Sequence, residues 1–324
     1  MRIAMLGAGS IARVLANTMR QMDSVECYAV AARDLGRAKQ FADDFGYEKA
    51  YGSYAEMLSD PAVELVYIST LHPFHCEHAR LCIDYGKPVL LEKPFTVNAK
   101  EAKALLAFAK ERKVFITEAI WTRYMPMRSE IDTVINSGAI GEPVTLTANL
   151  GYNASQVERL ANKDLAGGAL LDIGVYPLNF ALMHFGDDIE TVDSTFVFTE
   201  RGVDKQNTVV FSYRDGRMAV LTSTFCAASD RKGIIWGTDG YLVTENINNC
   251  QGIRVFNRDH DEILRVDTPK QISGYEYEIE ASIKAVREGR LECDEMPHSE
   301  TVKVMELMDS IRYGHGYRYP SEEE

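Results

Sequence analysis

The feature that most restricts this chain is Gly7-Ala8-Gly9-Ser10-Ile11-Ala12. This Gly-x-Gly-x-x-Ala run lies between a short apolar stretch, Arg2 to Leu6, and a helical one over 13–21. Strand, glycine turn and helix in that order open a βαβ unit built to hold a dinucleotide. The first glycine permits a tight turn. The second lets a pyrophosphate approach the backbone, and the small Ala12 lets the helix lie close to the sheet. The helix start then offers free N–H groups and a positive dipole end to the phosphates. Gly7, Gly9, Ser10, Ile11 and Ala12 are therefore candidate cofactor-binding residues. The competing reading is a glycine-rich turn that holds nothing.

A second strand is expected over 25–32, and in dinucleotide folds its end separates NAD from NADP. An acidic side chain there bonds the ribose 2′-hydroxyl, whereas an arginine accommodates a 2′-phosphate. Here the strand runs out in Ala31-Ala32-Arg33-Asp34. Ala32 at the acidic position, followed by Arg33, favours NADP. If Asp34 takes the ribose and Arg33 only stacks on the adenine, the preference returns to NAD. A helix follows over Leu35–Phe45, then a short one for which Ser53 and Glu56 form a capping box. The third strand, 63–69, ends in Thr70-Leu71-His72-Pro73-Phe74-His75. Thr70, Leu71, His72 and His75 are candidates for the nicotinamide pocket. The histidines are equally candidates for capping the next helix, 74–85. No third ligand is close enough in sequence to suggest a metal.

The apolar run Pro88-Val89-Leu90-Leu91 reads as a buried parallel strand, and Glu92-Lys93-Pro94 follows it directly. In open α/β sheets ligands bind just outside the carboxyl ends of the strands. Glu92 and Lys93 are thus placed beside any cofactor held by the first unit; otherwise Lys93 is a surface lysine. Asn98 caps a helix over 99–110, and 114–117 reads as a further strand. The first part of the chain therefore alternates strand and helix in the doubly wound manner. Glu118-Ala119-Ile120-Trp121-Thr122-Arg123-Tyr124 then leaves the sheet at what should again be its ligand edge. Trp121 and Arg123 are candidates for cofactor contact, Trp121 also for substrate, and Tyr124 for either a pocket wall or a core cluster.

From Pro143 the pattern becomes β-rich, with strands expected over 144–151, 191–198, 207–213, 218–224, 232–236, 241–246, 252–256 and 263–266. Arg214-Asp215-Gly216 and Thr238-Asp239-Gly240 are hairpin signals. One large, mostly antiparallel open sheet follows, with a face that a second copy of the chain would cover. A helix interrupts it over 167–178, opening on Gly167-Gly168. Asp172 and Tyr176 are four residues apart and share a face. Their neighbours are apolar, so either a structural hydrogen bond or a substrate hydroxyl must satisfy them. A last helix is expected over 300–312.

At 324 residues the chain can build two cores, expected as a dinucleotide domain over 1–120 and a substrate domain over 121–324. A formal charge of −13 argues against a nucleic-acid partner, which needs a basic face. The six cysteines form no Cys-x-x-Cys pair and fit reduced thiols of a cytoplasmic protein. No leader peptide is expected ahead of the first strand, no apolar run is expected to span a bilayer, and Glu322-Glu323-Glu324 reads as a solvated tail.

Taken together, Gly-x-Gly-x-x-Ala, Glu92-Lys93-Pro94 and Gly167-Gly168-x3-Asp172-x-Gly174-x-Tyr176 resemble the glucose-fructose oxidoreductase / inositol dehydrogenase / MocA-like family over essentially the whole chain. The resemblance implies a Rossmann domain followed by an α/β domain with a large open sheet. Members usually carry histidine where this chain has Tyr176. Tyrosine there, with residues 118–124, is similar to the branch of dimeric dihydrodiol dehydrogenases and NADP-dependent D-xylose dehydrogenases. That branch implies an NADP-dependent dehydrogenase of a sugar or cyclic vicinal diol, acting as a homodimer or higher oligomer through the C-terminal sheet. It implies that Lys93 and Tyr176 act together, with Asp172 beside them. A phenol has a pKa near ~10, too high for base work at neutral pH, and a neighbouring ammonium lowers it. Lys93 would then tune and orient, Tyr176 would move the proton, and Asp172 would hold substrate or Lys93. Two other readings stay open: an NAD-dependent glycosidase working by transient oxidation, and a non-catalytic NADP(H) sensor.

Overall fold

Short apolar runs separated by helices pair side by side in the first part of the chain, as seen in a computed structural model that describes residues 1–322. The strands are β1 (Arg2–Leu6), β2 (Glu26–Ala31), β3 (Lys49–Tyr51), β4 (Leu65–Ile68), β5 (Val89–Glu92) and β6 (Ile116–Ala119). All pairs are parallel, in the order β3-β2-β1-β4-β5-β6. Every residue of β4, β5 and β6 is buried, the pattern of strands covered on both faces by crossover helices. The order reverses between β1 and β4, which makes their carboxyl ends the crevice of a doubly wound sheet.

The chain divides into two compact units: Met1–Tyr124 with Gln271–Met305, and Met125–Lys270 with Glu306–Glu324. This differs from a division at residue 120 because a late segment returns to the first unit. There Ile116 N donates to Leu291 O (3.1 Å), and the His298 ring sits 2.8 Å from Ile116 O. The same segment carries the helix Glu276–Arg287, which the sequence reading passed over. Its signal is visible afterwards in the buried positions Ile279, Ser282 and Ile283, spaced for one helical face.

The second unit is built on β7 (Pro143–Gly151), β8 (Ile189–Phe198), β9 (Asp204–Tyr213), β10 (Met218–Thr224), β11 (Gly233–Gly237), β12 (Gly240–Thr244), β13 (Gly252–Asn257) and β14 (Glu262–Asp267). Their order is β14-β13-β12-β11-β7-β10-β9-β8, antiparallel except for the parallel pair of β7 and β10. The expected fold class, a doubly wound sheet plus a large, mostly antiparallel one, is therefore present. Side chains alternate: Leu146, Ala148, Val209, Phe211, Ala219, Leu221, Ile235 and Leu242 are buried, and the apolar helix Val175–Phe185 packs on β7 and β10. On the other face, hydrogen-bonded register aligns Val243, Ile234, Thr147, Val220 and Val210 in one row across five strands.

Several local expectations change. The stretch Lys163–Phe185 is long and apolar enough by composition to cross a bilayer, contrary to the sequence reading, but 94% of its most apolar window is buried inside the chain. Ser53 occupies the N-cap with extended backbone, yet its side chain makes no capping hydrogen bond. Glu322 is no solvated tail. It accepts from both Arg312 Nη atoms (2.8 and 2.9 Å), Tyr313 Oη (2.8 Å) and Tyr319 N (2.7 Å), while Glu323 and Glu324 lie outside the described residues.

Candidate active site

In the first unit, the turn after β1 has the geometry that its glycines predict. Gly7 has φ of +108°, and a Cβ added there would come within 3.0 Å of Ser69 Oγ. Gly9 is the N-cap of the helix Ser10–Met19, and the nearest atom to an added Cβ would be Ser69 O at 3.9 Å. The turn is therefore open above Gly9, beside the first N–H groups of a helix, as an anion cradle requires. Ala12 is fully buried against the sheet. These residues fit a dinucleotide pyrophosphate.

At the end of β2, Asp34 is the N-cap of the helix Leu35–Phe45, and its Oδ1 accepts from Arg37 N at 2.7 Å. Arg33 and Arg37 both act on the Tyr54 phenol. Burial raises its pKa, and the two guanidinium charges pull it back down. Arg33 stands at the strand end, where the sequence pattern points, whereas Arg37 lies one helical turn further on.

At the carboxyl ends of β4 and β5 the named residues separate into two groups. Thr70, Leu71, His72, Glu92 and Lys93 sit at the sheet edge, with Lys93 half-buried next to a cis Lys93-Pro94 bond. His75 is different. It is fully buried, with Nδ1 2.8 Å from Pro94 O and Nε2 3.0 Å from Thr70 O. Burial lowers its pKa to about 3. When neutral, its single N–H donates to one of these two carbonyl oxygens; full burial takes the ring away from the expected cofactor contact. Thr70 Oγ1 in turn lies 3.0 Å from His78 Nδ1.

Glu92 is held from two sides. Its Oε1 accepts from Tyr67 Oη, and its Oε2 accepts from Lys93 N at 3.0 Å. Beneath it lies Glu278, fully buried, with neither carboxyl oxygen hydrogen-bonded to a described residue. Burial first, then the Glu92 charge, raises the Glu278 pKa well above the usual carboxylate range. Beyond β6, Trp121 stacks on Tyr275 with ring centroids 4.0 Å apart and planes 7° from parallel. Tyr275 comes from the returning segment, which no local pattern connects to Trp121. Arg123 is buried and paired with Glu300 (3.0 Å), an ion pair inside the unit rather than the expected cofactor contact. Tyr124 belongs to the core, with its Oη donating to Glu118 O at 2.8 Å.

In the second unit, Leu170–Gly174 is a single π-helical turn that runs into the α-helix Val175–Phe185. Such i→i+5 turns cluster at functional sites. Asp172 lies in the π-turn and Tyr176 in the first turn of the α-helix; both are buried, at 6% and 8% exposure. Asp172 Oδ1 sits 2.9 Å from Arg159 Nη1, a partner the sequence reading missed. Tyr152, near Asp172, carries the Arg231 guanidinium 4.7 Å above its ring, and its Oη accepts from Asn248 Nδ2 at 2.7 Å. Among the described residues no His/Cys/Asp/Glu group could hold a metal.

Comparison with known proteins agrees with this fold. Residues 1–119 match an oxidoreductase family with an NAD-binding Rossmann fold, and residues 129–243 match the GFO/IDH/MocA C-terminal domain. The chain is 35% identical over 300 residues to the trans-1,2-dihydrobenzene-1,2-diol dehydrogenase of Homo sapiens, covering 91% of this chain and 90% of that one. It is 34% identical over 298 residues to the Xenopus tropicalis enzyme of the same name, covering 90% of each. Among solved structures, KijD10, a 3-ketoreductase from Actinomadura kijaniata in complex with NADP and TDP-benzene, superposes with a TM-score of 0.88 at 26% identity over 97% of each chain. The aldose-aldose oxidoreductase of Caulobacter crescentus shares the fold at 19% identity and a TM-score of 0.87, over 97% of this chain and 96% of that one. The chain belongs to the Gfo/Idh/MocA oxidoreductase family, as an NAD(P)-binding dehydrogenase acting on CH–OH groups.

Proposed function

We propose that this enzyme oxidises a secondary alcohol of a sugar or cyclic vicinal diol, and that NADP is its preferred cofactor. The observation that carries the cofactor preference is the pair Arg33 and Arg37, both bearing on Tyr54, with Asp34 engaged as a helix cap. Two guanidinium groups at the end of β2 suit a 2′-phosphate, and a capping carboxylate is a poor ribose ligand. Gly7, Gly9 and the helix start at Ser10 would cradle the pyrophosphate. The relatives named dihydrodiol dehydrogenases and the NADP-bound ketoreductase support the same reading.

When bound, the nicotinamide accepts hydride from the substrate carbon in oxidation. The chain has to remove the hydroxyl proton. We assign that proton transfer to Tyr176, with the Lys93 ammonium favouring the phenolate. Asp172, ion-paired with Arg159, accepts a hydrogen bond from a substrate hydroxyl. Trp121, backed by Tyr275, offers a flat apolar wall to a ring.

We also propose that the chain works in the cytoplasm as a homodimer. The outer face of the eight-stranded sheet would cover its counterpart, because its central row is apolar or threonine and is flanked by Arg254 and Asp193 in the same register.

The test is stoichiometric. One reduced cofactor formed per carbonyl formed, with NADP and a pyranose or cyclic diol, supports the reading. Cleavage of an aryl glycoside with no net reduced cofactor would replace it with the redox-cycling glycosidase.

A further inference from the structure

We infer that Asp204 is a positioning residue for the reaction, pinning the π-turn that carries Asp172 and leads into Tyr176. This rests on the roles proposed above for those two side chains.

Asp204 opens β9 and is fully buried. Its Oδ2 accepts from Leu170 N at 2.7 Å, the first N–H of the π-turn, and from Asn207 Nδ2 at 3.1 Å. Asn207 Oδ1 accepts from Ser223 Oγ at 2.8 Å, and Ser223 Oγ lies 3.0 Å from where a Cβ on Gly174 would be. The chain Asp204–Asn207–Ser223 therefore underlies the turn from its first residue, Leu170, to its last, Gly174.

Gly168, ahead of the turn, is explained by the same contact. Gly168 has φ of +129°, and a Cβ there would lie 2.0 Å from Asp204 Oδ1, so a side chain would expel the carboxylate. A Cβ on Gly167 would meet three carbonyl oxygens, of Leu160, Arg159 and Asn162, at 2.6 to 2.7 Å. From the other side, Tyr317 Oη and Tyr319 Oη both donate to Gly167 O, at 3.1 and 2.9 Å. An isolated π-turn has one more residue per hydrogen-bonded ring than the α-helix it joins, so its register needs an external fix. A buried carboxyl oxygen accepting from that first N–H supplies one; burial pushes the Asp204 pKa up to about 7, and the Leu170 and Asn207 hydrogen bonds pull it back. Asp204 Oδ1 has no described hydrogen-bond partner, and the Arg312 charge bears on the same carboxyl group.

The test uses the full chain with Asp204→Ala, Asp204→Asn and Tyr176→Phe, alone and combined. Asp204→Ala should lower kcat about a hundredfold, the usual consequence of misplacing reacting groups by an ångström, with NADP affinity changed less than about threefold. Asp204→Asn keeps an acceptor for Leu170 N and should stay within about tenfold of wild type. In the Tyr176→Phe background, Asp204→Ala should cost less than about tenfold more, because residues acting as a unit are non-additive. The Leu170 amide should exchange slowly in wild type and in Asp204→Asn, a readout that stands even if Asp204→Ala does not fold.

Unchanged kcat in Asp204→Ala, equal losses in the Asn and Ala variants, additive losses with Tyr176→Phe, or an unprotected Leu170 amide in wild type would each overturn the inference. Full turnover in Tyr176→Phe would instead overturn the role given to Tyr176, and with it the basis of this proposal. A loss there with none in Asp204→Ala defeats the Asp204 role alone.

Discussion

The Asp34 carboxylate accepts the backbone N–H of Arg37 at 2.7 Å, so the acidic residue nearest the adenosine end of the sheet is turned toward its own helix. On the proposed reading, Arg33 and Arg37 are the charges a cofactor would meet there. Replacing both with alanine should weaken NADP about a hundredfold, at roughly 1.5–3 kcal/mol for each hydrogen-bonded charge with incomplete additivity. NAD should change little. Cofactor titration followed by protein fluorescence checks this, and equal losses for the two cofactors would place the arginines elsewhere.

Arg159 is about 40% exposed and its partner Asp172 only 7%, so the pair is a half-solvated cation on a buried anion. Arg159→Met should cost about 1 kcal/mol of stability, in the range of a partly exposed ion pair. It should also lower kcat/KM about tenfold, by around 1.4 kcal/mol of transition-state binding, with NADP affinity intact. Thermal melts and steady-state kinetics on one preparation separate the two effects. An unchanged kcat/KM would remove Asp172 from substrate binding.

Glu278 gives a pH prediction with a definite sign. Burial and the Glu92 charge hold its folded pKa well above that of the unfolded chain. Between those two values the folded chain keeps a proton that the unfolded chain releases, so stability falls as pH rises through that window. Above the raised value the loss is complete and no longer grows. Glu278→Gln has no proton to lose. Its melting temperature should exceed that of wild type by a few degrees at pH 8, and the gap should close toward pH 4, as unfolded wild type takes up the proton that the folded chain already holds. A gap that widens on acidification would reverse the assignment.

The outer row of the large sheet supplies a fourth test. Val220 sits between Thr147 and Val210 in the middle of that row. Val220→Glu would place a charge at the centre of a two-fold interface, opposite its own copy. Sedimentation should show a dimer for wild type and a monomer for the variant. A monomeric wild type would mean that the face is covered in some other way or not at all.

How much of this was legible in the sequence follows from how local each signal is. The turn at Gly7 to Ala12, the strand ending in Glu92-Lys93 and the hairpin at Gly216 are written in contiguous residues, and the structure has them. The Gly167-Gly168 pair announced a close approach, but not that Asp204, from a strand further along the chain, makes it. Tyr275 behind Trp121 and Glu278 behind Glu92 belong to a segment that rejoins the first unit after the whole β-rich half. His75 and Arg123 were misjudged for the opposite reason. Their positions at strand ends looked exposed, while Pro94 O and Glu300, supplied by other elements, hold them inside.

Tyr176 and Lys93 are proposed to remove the alcohol proton in an NADP-linked oxidation. The most direct measurement is the initial rate of NADP reduction, at saturating cofactor, on a panel of aldoses and cyclic trans-diols for wild type, Tyr176→Phe and Lys93→Met. The account predicts reduction by wild type on at least one pyranose or diol. Each variant should lose about a hundredfold or more in kcat, the usual share of general acid–base catalysis, with NADP still bound. A variant that keeps near wild-type turnover, or a wild type that binds NADP and reduces it with no substrate of either class, would contradict it.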